Sequence, residues 1–438
     1  MLKKFYVMLI AIAALWMLPL SGAKPAKYIF LLIADGTGEE MMKLYLREHP
    51  ASVFKTFKNK HLTSTLDASG SVSSSGACGT AIACGKQTTF CRIAMDQDEK
   101  PLRSLAYKFK ELGFKIGIIT DSSLTDATIS PFFAISPRCL AHNRIVADLC
   151  RSGFDFYAES SLGVPKYFSE KDMRSMLISA GYRVIPGKKL RTMNPGERNY
   201  LFSPSRATER KPGTPSLGDI TAAAANLLSH GNKGFFLVVS AGSIDYFNHR
   251  NDAASALREM NSFEFAVRAA LDFAARHAEE TLIVITSDHE VGNFRVIGAN
   301  ATAFHLKQKY PYLAISDRLL LHLRQKYNDK QLISAALKMV QTKSFSTAEQ
   351  RRLQSACRLF REKKKLKRYG GFNPLAVEVM RMRDKRNGAV YFSCDHTGNP
   401  VITSVRGTGV QHFNNLKESS DIPHCIAAAA GYPELLSR

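Results

Sequence analysis

Thr281-Leu-Ile-Val-Ile-Thr-Ser-Asp-His289 decides how this chain is read. An apolar, β-branched run of strand length ends abruptly in a carboxylate and an imidazole, Asp288 and His289. The same plan recurs upstream, where the Gly234–Val239 run leads to Asp245 and His249. Residues four apart share a face of a helix, so one ion can reach both Asp245 and His249. Carboxylate and imidazole are the donors a zinc-like divalent ion takes. Two acid–histidine pairs, each just after an expected strand, imply two adjoining metal ions and hence phosphoryl or sulfuryl transfer.

Working outward, Tyr28–Ile33 and Lys115–Thr120 are two further apolar runs, followed by Asp35 and by Asp121 and Asp126. One acid after a strand is usually a turn or a helix cap. Four such positions with two histidines converge if the strands lie parallel, because sites in open α/β sheets form beyond the carboxyl ends of strands. Helical patterns separate the runs. Leu257, Met260, Phe263, Val267 and Leu271 keep a helical spacing within residues 252–278, with Asp252 as the expected cap. The expected fold is α/β, a three-layer sandwich with a central, mostly parallel sheet and helices on both faces. Residues 301–380 carry Lys, Arg, Gln and Leu without clear strands and are expected to form a mainly helical, basic insertion. The expected organisation is therefore a leader at 1–23, a core at 24–300, the insertion at 301–380, and a return to the core at 381–438.

The leader is read from Lys3 and Lys4, the apolar stretch Phe5 to Leu20, and the small residues Ser21-Gly22-Ala23. That pattern predicts cleavage and a soluble, periplasmic or secreted mature protein rather than an integral membrane protein. Export places the 8 cysteines in an oxidising setting, with Cys84–Cys91 and Cys139–Cys150 as the short-range candidate pairs. Cys78 reads as a small helix-packing residue. The formal charge of the 438 residues is +22, and it peaks at Arg361–Arg368. The excess favours anionic partners. That run itself, with little aromatic interleaving, reads as a solvated helix face, and no specific nucleic-acid site is expected.

Val72-Ser-Ser-Ser-Gly-Ala-Cys-Gly-Thr-Ala-Ile-Ala-Cys-Gly85 passes from hydroxyls into small residues. A helix starting near Gly76 would hold Ser75 at its positive end, where a hydroxyl beside a metal can ionise and attack phosphorus.

Together these segments resemble the alkaline phosphatase family. Ile33-Ala-Asp35-Gly-Thr-Gly38 is similar to its opening strand and metal aspartate, and Ser75-Gly-Ala-Cys-Gly-Thr80-Ala81 to its nucleophile helix. Asp126-Ala-Thr128, Ile244-Asp245 with His249, Thr286-Ser-Asp288-His289-Glu290, and His396-Thr-Gly398-Asn-Pro-Val401 follow in family order. The resemblance implies a first zinc on Asp245, His249 and His396, and a second on Asp35, Asp288 and His289 beside Ser75. It implies a magnesium site at Asp35, Asp126 and Thr128. Ser75 would form a phosphoserine, and Arg138, with Arg144 as the alternative, would clamp the phosphate oxygens.

The expected function is thus an exported phosphomonoesterase acting on small phosphorylated substrates. A phosphodiesterase or sulfatase-type hydrolase, or a non-catalytic anion-binding relative, is the alternative. No Cys/Ser-x-Pro-x-Arg sulfatase motif follows Ser75. Family members are often dimers, and nothing in the sequence decides for or against a homodimer. Two positions depart from the family. Ser240 replaces a magnesium-binding Glu, and Ser74 replaces an Asp before the nucleophile. Losing that carboxylate predicts a weak third site.

Overall fold

The computed structural model describes residues 24–160, 170–203, 210–297, 308–342, 344–364 and 366–437. The expected leader, 1–23, and the first part of the expected insertion, 301–307, lie outside the described residues.

Thirteen strands are described: β1 (Tyr28–Ile33), β2 (Asn59–Thr63), β3 (Lys115–Thr120), β4 (Phe156–Glu159), β5 (Tyr182–Pro186), β6 (Arg198–Phe202), β7 (Phe235–Ser240), β8 (Thr281–Thr286), β9 (Glu290–Val291), β10 (Arg295–Val296), β11 (Ala389–Val390), β12 (His396–Thr397) and β13 (Val401–Gly407). Nine of them form one sheet in the order β2-β13-β8-β1-β7-β3-β4-β6-β5. From β8 to β5 every pairing is parallel. Only β13 runs antiparallel, to β8 and β2.

The central strands β1, β7 and β8 are buried at every position because both faces of the sheet are covered. Ile29, Leu31 and Ile33 of β1 pack into one core with Phe109, Phe132 and Ile426. Tyr28, Phe30 and Leu32 of the same strand pack into another with Leu257, Met260 and Phe263. This alternation within one strand is what makes the molecule a three-layer α/β sandwich.

Register then places the chemistry. Thr120 pairs with Ser240, Ser240 with Ile33, and Ile33 with Thr286. The last residues of β3, β7, β1 and β8 thus stand in one row, and whatever follows each strand emerges from the same edge.

The run expected at Gly234–Val239 forms one residue later, as Phe235–Ser240. Gly234 is instead a turn at φ +97, where a Cβ would stand 1.9 Å from the Lys27 carbonyl oxygen.

The helices Tyr312–Arg324, Asp329–Met339, Thr347–Arg361 and Pro374–Arg386 bury a core of their own around Ile315, Leu332, Leu353 and Val379. They reach the sheet domain through buried Asp252. Its carboxylate caps the Ala253–Arg276 helix at Ser255 N and accepts from Gln308 Nε2 (3.1 Å), Tyr312 N (2.8 Å) and Arg383 Nη2 (3.2 Å). Arg381 Nε donates to Asn251 at 2.6 Å. The loop that begins at His249 is thereby clamped between the two units.

Neither short-range cysteine pair forms. Cys91 is joined to Cys139, with Cα atoms 5.1 Å apart at a sequence separation of 48. Cys84 is buried in its helix, and Cys150 lies on a later one, His142–Ser152. The intervening loop folds back so that Ile93 and Ser136 exchange both backbone hydrogen bonds, which brings residues 91 and 139 together.

Candidate active site and metal centre

The row of strand ends delivers Asp35, Asp126, Asp245 and Asp288 to one place. Asp35 is buried two residues past β1. Gly36 follows with φ +66, and a Cβ there would lie 2.7 Å from Asp245 Oδ1, so only glycine lets the β1 turn pass so close. Its N–H donates to Asp288 Oδ1 at 3.1 Å, and its carbonyl accepts from Asn248 Nδ2 at 3.0 Å. Three segments distant in sequence are locked by one turn.

Ser75 opens the Ser75–Cys84 helix, and Ser74, not an acid, is its N-cap, accepting from Ala77 N at 3.3 Å. The helix is small-residue rich because it packs tightly. A Cβ at Gly79 would stand 2.5 Å from the Thr128 carbonyl oxygen. Ser75 Oγ lies 3.0 Å from His289 Nε2, at the positive helix end. Cys78 is a buried residue of this helix, and burial, with Asp288 nearby, pushes its thiol well up, so it is an inert packing group.

Asp245 lies in the Gly242–Asn248 helix and His249 follows at its end, so His249 Nε2 comes 3.3 Å from Asp245 Oδ1. His396 Nε2 is 3.1 Å from His249 Nε2, and the His396 ring stacks on His289 with centroids 3.5 Å apart. Two donor groupings emerge, Asp245–His289–His396 and Asp35–Asp288–His289, each with ligand atoms within 4.8 Å of one another. His289 is common to both, and His249 adjoins the first.

Asp126 Oδ1 accepts from Thr128 N at 3.0 Å, and Thr128 Oγ1 donates to Asp288 Oδ2 at 2.9 Å. Ser240 is buried at the end of β7, paired with Ile33 two residues before Asp35. The exposed Arg138 and Arg144 make no described hydrogen bond to it. Arg138 sits in a turn held by Ser136 Oγ, which donates to its carbonyl at 2.8 Å and accepts from its N–H at 3.2 Å.

The electrostatics call for cations. Burial and the charges of Asp288, Asp245 and Asp126 raise the Asp35 carboxyl well above its ordinary range. Its Oδ1 is buried without a hydrogen-bond partner. Burial lifts Asp126 to about 6 against the Thr128 N–H, with Asp245 and Asp288 adding to the rise. Burial also opposes charge on Asp288, yet His289 and the Gly36 N–H hold its carboxyl low. Burial and His289 push His396 down to about 4, while Asp245 overcomes burial and lifts His249 to about 9.

His249 Nδ1 contacts the Cys394 carbonyl, and His396 Nδ1 contacts the Ser73 carbonyl at 3.0 Å. If both Nδ1 atoms carry the proton, both Nε2 lone pairs face one another. A divalent ion resolves both problems at once, the crowded carboxylates and the facing imidazoles. The donor set therefore fits zinc. The two carbonyls that orient the histidines belong to the backbone, and sequence reading did not find them.

Comparison with known proteins gives the family and the fold. The family model described as alkaline phosphatase matches residues 26–159 and 200–432. A relative, alkaline phosphatase 4 of Bacillus subtilis, is 25% identical over 425 residues, 91% of this chain and 87% of its own. The cold-active alkaline phosphatase of Shewanella sp. superposes with a TM-score of 0.76 at 22% identity, covering 92% of this chain and 99% of that one. A mutant of TAB5 alkaline phosphatase, solved with Mg bound in its M3 site, gives a TM-score of 0.67 at 21% identity over 94% of this chain and 99% of its own.

Proposed function

The chain belongs to the alkaline phosphatase family, and from that membership and the site geometry we propose that it is an exported, two-zinc phosphomonoesterase working through a phosphoserine at Ser75. The observation that carries this reading is the Ser75 hydroxyl, at a helix N-terminus, 3.0 Å from His289 and beside both donor groupings. Asp245, His249 and His396 would hold the first ion, and Asp35, Asp288 and His289 the second. When bound, such ions supply Lewis acidity for the leaving oxygen and a nucleophilic water at neutral pH.

Ser75 Oγ attacks phosphorus in line, the bond to the leaving alcohol breaks, and phosphate stays on Ser75 until water displaces it. The helix N-terminus favours the negative charge throughout. Arg138 would bind the non-transferring oxygens of a small phosphorylated substrate. Asp35, Asp126 and Thr128 offer magnesium a poor site, because Ser240 supplies a neutral hydroxyl where a carboxylate is needed. The leader at 1–23 is the basis for periplasmic or secreted placement. Among the described residues no helix is long and apolar enough to cross a membrane.

Brief incubation with phosphate or substrate at acidic pH, followed by peptide mapping, tests the nucleophile. The expected result is one phosphate on Ser75, absent in Ser75→Ala, which keeps its zinc. A phosphate mapped to Ser73 or Ser74 would show the assignment of the nucleophile to be wrong.

A further inference from the structure

The Cys91–Cys139 disulfide lies against the first turn of the nucleophile helix. The Cys91 N–H donates to Ser74 Oγ at 2.7 Å, the same oxygen that caps the helix carrying Ser75. Cys91 holds φ +65, unusual for a residue with a Cβ, so this N–H is aimed by a backbone conformation that needs support. On the other side, a Cβ at Gly76 would lie 3.5 Å from Cys139 Cβ and 3.1 Å from the Arg92 carbonyl oxygen. Cys91 thus bonds the residue before Ser75, and Cys139 lies beside the residue after it. Cys139 also follows Arg138 directly. The turn carrying Arg138 is otherwise held by the Ser136–Ile93 backbone pair (2.9 Å each way) and by Ser136 Oγ. Arg138 itself is exposed and reaches no described partner.

We propose that this disulfide is the positioning element of the phosphate subsite, fixing the turn of Arg138 against the nucleophile helix so that guanidinium and Ser75 Oγ address one phosphate. The proposal rests on the reading of Arg138 as the phosphate clamp. A long, exposed arginine has many rotamers, and anchoring its backbone on the adjacent residue reduces what must be ordered when the anion binds. Both half-cystines are partly accessible, so a reductant can reach the bond.

The test is a cycle on metal-loaded enzyme with p-nitrophenyl phosphate as substrate and inorganic phosphate as inhibitor. Four forms are compared: oxidised, reduced with a phosphine that leaves zinc content unchanged, Arg138→Ala, and Arg138→Ala reduced. Reduction is expected to raise KM and the phosphate inhibition constant about fivefold, a partial loss of a charge-assisted contact, with kcat within about twofold. Reoxidation should restore both. In Arg138→Ala, KM is already raised and reduction should add nothing, a non-additivity that a general structural role does not produce. Cys139→Ser should behave as the reduced enzyme, and reversible reduction serves if that variant fails to fold. Unlinked Cys91 and Cys139 in the active oxidised enzyme, or additive effects in the cycle, overturn the proposal. A raised KM in Arg138→Ala, beside an unmodified enzyme whose KM and phosphate inhibition constant do not change on reduction, overturns the positioning role alone. An unchanged KM in Arg138→Ala overturns the clamp reading on which it stands.

Discussion

At Ser75 a hydroxyl, a helix N-terminus and His289 meet within 3.0 Å, and the neighbours of that meeting explain what each site residue contributes. Asp35, Asp126, Asp245 and Asp288 were legible in the sequence because each follows a buried apolar run, and a parallel sheet brings such positions to one edge. The partners that orient the histidines were not, because Cys394 and Ser73 act through backbone carbonyls, for which no residue type is a signature. Arg138 was named from the resemblance alone, with Arg144 as the alternative, and the structure leaves both side chains exposed. Ser240 makes the sharpest prediction at this scale. It is a buried neutral group at the end of β7, paired with Ile33 two residues before Asp35, where the family resemblance expects a carboxylate, so zinc-loaded enzyme should respond weakly to added Mg²⁺. Ser240→Glu should strengthen that response. A magnesium titration of activity checks both, and tight, saturable activation of the unmodified enzyme, unchanged in Ser240→Glu, contradicts the account of this site.

Among the elements, β1, β3 and β8 were legible to the residue because both faces of each are buried and the runs are uninterrupted. The strands β4, β5 and β6 escaped notice. Glu159 ends β4, the edge strand β5 mixes buried and exposed residues, and Arg198 and Asn199 begin β6, so none shows a continuous apolar run. The Ala253–Arg276 helix was expected from its spacing, and Asp252 caps it as expected. A polar member of that helix had no warning in the pattern. Buried Glu264 accepts from Tyr45 Oη (2.7 Å), Ser52 Oγ (2.8 Å) and Val53 N (3.1 Å), and pairs with Arg268. Burial works against its charge, but these donors and Arg268 hold the carboxyl below its ordinary range. A depressed folded-state value means that the stabilisation is present above the unfolded-state value and is lost as pH falls through the folded one. Glu264→Gln, which turns an amide donor toward groups that donate, should cost about 1–3 kcal/mol at neutral pH. The gap between variant and parent should narrow on acidification below about pH 4. Urea unfolding at neutral and acidic pH reads this directly, and a gap that widens in acid contradicts the sign.

At the scale of the whole molecule, the sheet supplies the carboxylates and the helical unit of residues 312–386 holds the histidine side of the site in place. Asn251 and Asp252, two and three residues beyond His249, take hydrogen bonds from Gln308, Tyr312, Arg381 and Arg383. The sequence announced this unit as helical and basic, because its strands are missing and its cations are many. Its grip on the His249 loop depends on long-range contacts that periodicity does not encode. The same limit hid the Cys91–Cys139 link, since sequence proximity favoured other pairs. What unites the molecule is a demand for cations: Asp35 Oδ1 is buried without a partner among three other carboxylates, and His249 and His396 face each other at 3.1 Å. Elemental analysis of the purified protein, with p-nitrophenyl phosphate turnover followed through chelation and zinc restoration, measures that demand most directly. The account predicts about two zinc ions per chain, activity abolished on their removal and recovered on their return, and loss of one ion with most turnover in His396→Ala. Full turnover in chelated, metal-free protein would contradict it.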